Sequence, residues 1–486
     1  MKNNKIDKSN WKTTRKERIG YSIGFNGCVG ESLTLQAYLS TYLLMSGIDV
    51  GITATVMLVM KLIDALDDIL FGWIVDKYHP EKNPKLAKLV GTGRYLPWLR
   101  LCLPVFPIAV TLLYRIPTDA SQNVKVFWFA FFYLLSDLAY TLIDVPMNSI
   151  LTTMTDVSSE KDSIIRLRNI FMLIIVGFVY FGFLVLISQK VGMSISNCVL
   201  LFSVCMTICM LPVILFTKEH SIMVSDHEEE SSLSLKEAFQ CLISNRNLLA
   251  HYGGSCIAGC FATGTACSIF ASYYLFGSEF YSLLLSVPSL ILGTALGIVI
   301  PGLVVNRDKN RLRVLSVVLS IITGVIAFLV GYKNVLLYMA ASLLNVIPAS
   351  LATAVSSYIV PNCIEYGKFK SGKDATGIQF AFGTFTAKFP SAIASSLGLY
   401  LLKLYGWQTI TAESFAEVAA LGIVQSETAI RGLWVVTAGI PIIGTVLSLL
   451  CYLAYNLTDK DAEIMARCNA GEISRQEAEK LLSKVY

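Results

Sequence analysis

Apolar stretches of about 20 residues recur along the whole 486-residue chain, separated by short polar turns. Twenty residues at 1.5 Å each is the length an α-helix needs to cross the hydrocarbon core of a bilayer. Inside that core each backbone group must be satisfied within its own segment, so a chain built this way folds as a helical bundle. Composition agrees: 54% of residues are hydrophobic and 15% charged, against about 25% charged in an ordinary soluble domain. A β-barrel would instead show alternating strands of roughly ten residues, and none is visible. The net charge of +5 is spread through turns rather than gathered in a patch, which argues against a nucleic-acid partner.

Twelve spans are expected, at 20–46, 50–75, 96–115, 125–150, 169–189, 193–217, 247–275, 280–305, 313–332, 335–360, 377–405 and 430–457. The longest polar interruption, 218–246, divides them six and six. The expected organisation is an N-terminal segment 1–19, a six-helix half 20–217, a central loop 218–246, a second six-helix half 247–457 and a tail 458–486. This is the pattern of an all-α membrane protein of the major facilitator fold, two six-helix halves joined by a loop. Lys and Arg concentrate in the termini and in the loops after the even-numbered spans, about 30 against about four elsewhere. The expected topology is therefore multi-pass in the cell inner membrane, with both termini cytoplasmic and no removable leader. In the tail, Ile464 and Cys468 share one helical face, Gly471 interrupts it, and Ala478, Leu481 and Leu482 resume it. One or two short helices are expected there, in solution or on the membrane surface.

The twelve cysteines lie mostly inside apolar segments. The pairs Cys205/Cys209 and Cys256/Cys260 have helical i,i+4 spacing but no histidine on their face, and read as packing. The four histidines lie in loops or at span ends. With no nucleotide loop, zinc spacing or nucleophilic triad, the chain does not read as an enzyme and calls for no resident cofactor.

Charge within spans carries the functional signal, because a carboxylate at mid-bilayer costs roughly 2.5–3.5 kcal/mol. Span 2, "MLVMKLIDALDDILFGWIVDKY", puts Asp64 and Asp68 on one face, with Lys61 a turn earlier and Asp67 beside them. Span 4, "YLLSDLAYTLIDVPMNSIL", aligns Asp137 and Asp144, with Thr141 and Asn148 a turn to either side of Asp144. Pro146 frees a carbonyl there. Asp64, Asp68 and Asp144 together would cost on the order of 8–10 kcal/mol if nothing compensated them. Hard oxygen ligands of this kind suit a small monovalent cation or a shared proton. Lys388, near the middle of span 11, and Glu31, in span 1, are further intramembrane charges. Asp76 ends span 2 and Arg94 follows in the loop, where they form either a latch between helices or a solvated face.

The stretches "RIGYSIG", "KLIDALDDILFGWIVDKY", "GTGRYLPWLR", "AYTLIDVPMNS", "IEYGKFKSGKDATG" and "FTAKFPSA", in this order and spacing, resemble the glycoside–pentoside–hexuronide:cation symporter family over essentially the full chain. The resemblance implies that Asp64 and Asp68 are cation-binding acids (ligands of sodium, if sodium is the coupling ion), that Thr141 is a cation-site hydroxyl and that Asp144 lies between cation and sugar. It implies that Arg168 hydrogen-bonds the sugar and that Lys388 sits close to the cation site. The expected substrate contacts are thus Asp144, Arg168 and Lys388, with Asn148 and Glu31 as additions. The expected cation ligands are Asp64, Asp68, Asp144 and Thr141, with Asp67 as an addition. Where the family has a sugar-binding Asp in span 1, this chain has Cys28 or Val29. A sugar-stacking Trp of span 4 is Asn148, and the family's Asn–Asp–Pro run in span 2 is Asp67–Asp68–Ile69. These changes leave open the sugar and the choice among Na+, Li+ and H+. The function expected is cation-coupled import of a small carbohydrate by alternating access, by a monomer in a lipid bilayer. The alternatives are a lipid or lysolipid carrier of related fold and a non-transporting membrane sensor.

Overall fold

The structure, a computed structural model, describes residues 10–77, 90, 93, 95–220, 235–305, 307–373 and 375–484. It is helical throughout: α1 Arg15–Ala37, α2 Leu39–Met45, α3 Val50–Lys77, α4 Leu96–Cys102, α5 Val105–Leu113, α6 Gln122–Met154, α7 Ser158–Ile187, α8 Ile195–Phe216, α9 Leu235–Ser244 and α10 Arg246–Cys260. There follow α11 Ser268–Phe276, α12 Tyr281–Val304, α13 Lys309–Val330, α14 Val335–Ser371, α15 Thr376–Leu404, α16 Phe415–Ala420, α17 Glu427–Trp434, α18 Ile440–Leu453, α19 Asp459–Asn469 and α20 Arg475–Leu481. Each expected span falls on one helix or on two in succession. Among the described residues, nine of these stretches are long and apolar enough to cross a membrane. Several helices outrun the bilayer: α14 has 37 residues, about 55 Å of helix against roughly 30 Å of hydrocarbon.

The chain forms two compact units. The first comprises Met1–Ser225 together with Gln408–Val424, and the second Asp226–Trp407 with Gln425–Tyr486.

In the first unit α1 packs along α8 and α7. A glycine stripe makes the α1–α8 approach possible. A Cβ on Gly24 would lie 2.5 Å from Val213 Cβ, and one on Gly27 would lie 2.8 Å from the Met210 amide nitrogen. Only a residue without a side chain lets backbones come this close, and in a bilayer such contact replaces the missing hydrophobic drive. The start of α1 is anchored by Glu160 of α7. Its buried carboxylate accepts from the backbone N–H groups of Lys12 and Thr13 (both 3.0 Å), from the hydroxyls of Thr13 and Thr155, and from Arg18 (3.3 Å). Thr14 and Glu17 close a capping box on α1, and Glu17 also meets His220 Nε2 at 2.9 Å. Burial pushes the Glu17 carboxyl up, but the Thr14 and His220 hydrogen bonds outweigh it and hold the group below its ordinary value.

Residues 408–424, between α15 and α17, dock on the loops after α2 and before α8. Ser46 and Thr411 form an antiparallel bridge, with Gly47 N–H donating to the Ile410 carbonyl and Ala412 N–H to the Met45 carbonyl, both at 3.0 Å. Ile410, Phe415 and Val418 are fully buried, which is worth roughly 5–9 kcal/mol.

In the second unit Arg313 of α13, 6% exposed, ties four helices together. It donates to the Ala352 carbonyl and Ser356 hydroxyl of α14 (both 2.9 Å), to Ser255 of α10 (3.3 Å) and to the Tyr452 hydroxyl of α18. Its guanidinium lies 4.1 Å from the centre of the Tyr452 ring. The tail forms the two short helices α19 and α20, with Gly471 (φ +77°) at the break. They pack on the end of α14 through Ala462, Met465 and Ala478 rather than lying in solution. Asp459 fastens them, accepting from Lys309 N–H (3.0 Å) and Asn362 (3.2 Å).

Candidate functional site

The expected site residues divide between the units. Asp64, Thr141, Asp144, Asn148, Arg168 and Glu31 belong to the first, and Lys388 to the second. Asp67, Asp68 and Asp76 lie on α3, but their side chains fall outside the described residues, as does all of Arg94.

Three helices build a polar cluster in the first unit. From α6, Asp144 is half-buried and its Oδ1 accepts from Asn148 Nδ2 at 3.1 Å. Asn148 also donates to the Asp144 carbonyl at 2.9 Å, so an exposed amide is folded back over the acid by the i,i+4 register. The helix continues through Pro146, whose missing N–H leaves the Leu142 carbonyl without its intrahelical donor. From α7, the half-buried Arg168 lays its guanidinium 4.3 Å from the Phe25 ring centre on α1. Asn26, also on α1, holds this part of α7 by donating to the Arg168 carbonyl at 2.8 Å. Tyr21 donates to the Met147 carbonyl at 3.1 Å and stands within electrostatic reach of both Arg168 and Asp144. Cys28 lies within reach of Asp144 and Glu31.

Asp64 is half-buried on α3, which packs along α6, and Lys61 a turn earlier feels its charge. Thr141 is buried on α6, one turn before Asp144. An acid from α3 and a hydroxyl and an acid from α6 therefore sit on neighbouring helices, the donor types a monovalent cation takes. Glu31 of α1 is held by α8. It is fully buried against α8, where Ser203 donates to its Oε1 at 2.7 Å. Lys388 is half-buried in the middle of α15, and its carbonyl accepts from Ser391 at 2.8 Å.

The contributions of Tyr21, Phe25 and Asn26 were not anticipated. The signal was present as i,i+4 spacing of two aromatics on α1, but aromatics at helical spacing read first as packing. Tyr38 and Trp128, two further aromatics of the first unit, serve packing. Tyr38 stacks on Phe183 at 3.9 Å, and Trp128 donates to the Leu112 carbonyl at 2.8 Å.

Residues 20–459 match the family model described as MFS/sugar transport protein. An uncharacterised symporter of Bacillus subtilis is 28% identical, covering 94% of this chain and 95% of its own. The isoprimeverose transporter of Lactiplantibacillus pentosus is 23% identical, covering 93% and 90%. A glucuronide carrier protein homolog of Escherichia coli is 23% identical, covering 93% of each. Among solved structures, a bacterial homolog of the human lysosomal transporter Spinster, inward-facing and unoccupied, aligns with a TM-score of 0.62 at 11% identity, covering 90% of this chain and 95% of its own. The nucleoside transporter NupG aligns at 0.59 and 15% identity, covering 90% and 98%. An all-α multi-spanning chain with this fold, matched by the family model over nearly its whole length, belongs to the MFS/sugar transport protein family, whose members are carriers and not enzymes.

Proposed function

We propose that the protein is a cation-coupled symporter of the glycoside–pentoside–hexuronide type, importing a small carbohydrate through twelve spans arranged six and six. The observation that carries this reading is the cluster of Asp144, Asn148 and Arg168 with Tyr21 and Phe25. An acid, an amide and a guanidinium offer hydrogen bonds to sugar hydroxyls, and an aromatic face sits beside them. The relatives named for isoprimeverose and glucuronide support a carbohydrate as the solute.

In this reading Asp64, Asp68 and Thr141, with Asp144 and Asp67 nearby, hold Na+, Li+ or H+. The cation offsets carboxylate charge and lowers the cost of closing the site during alternating access. Asp144 contacts both cation and sugar, Arg168 and Asn148 contact the sugar, and Lys388 supplies the balancing charge. Asp76 and Arg94, whose side chains lie outside the described residues, are either a latch between helices or a solvated face at the cytoplasmic side. One monovalent cation moving down about 100 mV and a tenfold gradient releases roughly 3.7 kcal/mol, enough for about 500-fold accumulation of a neutral solute.

A lysolipid carrier of related fold is the alternative reading. Counterflow in proteoliposomes separates the two. A panel of glycosides, pentosides, hexuronides and a lysolipid is assayed with and without sodium and a pH gradient. Sugar counterflow driven by either ion is the expected result. A panel in which no sugar responds to sodium or to pH overturns the symport reading.

A further inference from the structure

We infer that residues 408–424 are an arm extended from the second unit that stays docked on the first throughout transport, so that movement is taken up where the chain crosses at Trp407 and Gln425. The inference rests on the reading that transport proceeds by alternating access. The arm lies among the loops between expected spans 1 and 2, 5 and 6, and 11 and 12, the face assigned by the Lys and Arg distribution to the exterior.

The docked part has the character of a core. Its Ser46–Thr411 bridge is clamped by two main-chain hydrogen bonds, and a third runs from Ile195 N–H to the Glu413 carbonyl at 2.9 Å. Ser414 caps α16 by accepting from Glu417 N–H, and α16 then places Phe415 and Val418 out of solvent beside Ile410. The receiving loop is braced independently of the arm. The buried Lys125 ammonium donates to the Ser46 carbonyl at 3.1 Å, and Gln122 Nε2 donates to the Gly47 carbonyl at 2.7 Å. Gly47 takes φ +73°, and a Cβ there would lie 2.6 Å from Thr411 Oγ1, so the seat is shaped to this occupant.

The crossing points are built differently. In the second unit the Trp407 ring meets Tyr274 edge-on at 5.4 Å and Phe270 at 5.7 Å, and Gln425 hydrogen-bonds the same Tyr274. Both connecting strands are thus pinned at one residue of α11, which gives the arm a single pivot rather than two. Undocking would break three main-chain bonds and expose three apolar side chains together. Turning at the pivot breaks none of these.

The test is a disulfide across the seat. Ser46 and Thr411 form a pair flanked by, not joined by, ladder hydrogen bonds, a geometry with Cα atoms about 4.5 Å apart and within disulfide reach. Full-length Ser46→Cys/Thr411→Cys, with each single variant as control, is oxidised and assayed for counterflow of methyl β-glucuronide and methyl β-xyloside, with the 46–411 link confirmed by mass spectrometry. The oxidised protein is expected to keep at least half the reduced rate. A more than tenfold loss on oxidation, restored by reductant and absent from both single variants, overturns the inference, because the arm then has to release. Amide exchange of the wild-type protein in nanodiscs without solute gives a second measurement. Gly47, Ile195 and Ala412 are expected to exchange at least about 100-fold more slowly than unprotected amides, and exchange within tenfold of unprotected rates overturns docking. If neither methyl glycoside is transported by wild type, the sugar-symport reading is what fails, and amide exchange still decides the arm.

Discussion

The two units each carry an intramembrane charge that is held in its own way, Asp144 in the first and Arg313 in the second. In the first, Asp144 under Asn148 and Arg168 over Phe25 stand half-buried in one cluster, and glycine packs the helix contact beside them. In the second, Arg313 is sunk among four helices and donates to four neutral oxygens, so the charge itself does the bracing. A half-exposed charge retains hydrogen-bonding capacity for a ligand, whereas one enclosed by four acceptors has spent most of it on structure. Asp144 and Arg168 therefore mark a candidate binding site and Arg313 a joint, and exposure tells the two apart.

The sharpest way to break this contrast is to remove one charge of each kind and read both transport and stability. Asp144→Asn is expected to reduce cation-driven accumulation about 100-fold or more, equivalent to roughly 2.7 kcal/mol of lost interaction, and to leave thermal unfolding in detergent almost unchanged. Accumulation within threefold of wild type would remove Asp144 from the site. Arg313→Ala is expected to show the reverse emphasis. It removes the donor that Ser255, Ser356, Tyr452 and the Ala352 carbonyl share and leaves a void among four helices, and it is expected to cost about 3 kcal/mol of stability, read as a lowered unfolding midpoint, with Arg313→Lys intermediate because a single ammonium cannot reach all four acceptors. An unchanged midpoint for Arg313→Ala would show that the guanidinium is not a joint.

The packing half of the comparison is tested at Gly24. Gly24→Ala sets a methyl 2.5 Å from Val213 Cβ, and overpacking of this kind costs about 1–3 kcal/mol. The α1–α8 contact has to open to accept it, so a lower unfolding midpoint is expected. If Gly24→Ala instead matches or exceeds wild-type stability, the close approach of the two helices is not what holds the first unit together.

What the sequence made legible follows from the physics of each element. Spans were readable because length and apolarity are local properties, and Asp64, Asp144 and Lys388 because a charge inside an apolar stretch is conspicuous in one dimension. The tail helices were readable from the Ile464/Cys468 face and the Gly471 break, but their docking on α14 was not, since a small amphipathic face fits a protein surface as well as a membrane. Arg313 was invisible as a joint, because an arginine at the start of a span reads as an interfacial charge. The arm was the least accessible feature. Its ties run through the main chain of Gly47, Ala412 and Ile195, and backbone hydrogen bonds between residues more than 200 apart leave no side-chain pattern to find.

The smallest expected effect concerns how the first unit holds its N-terminus, where charge does act as a fastening but at the water-facing end of α1. Glu17 is buried, accepts from Thr14 N–H at 2.6 Å and meets His220 at 2.9 Å, and its carboxyl lies below the ordinary value. Because the folded value is the lower one, the carboxylate stabilises the fold fully above about pH 5, and that contribution is lost as pH falls through the lowered value. Glu17→Gln is therefore expected to cost about 1 kcal/mol at pH 7 and to converge with wild type once the pH has fallen below the lowered value, where both side chains are neutral. Unfolding midpoints of the two proteins across that range decide the matter. A constant gap through the acid range, down to the onset of acid unfolding, would mean that the Glu17 side chain acts by shape rather than by charge.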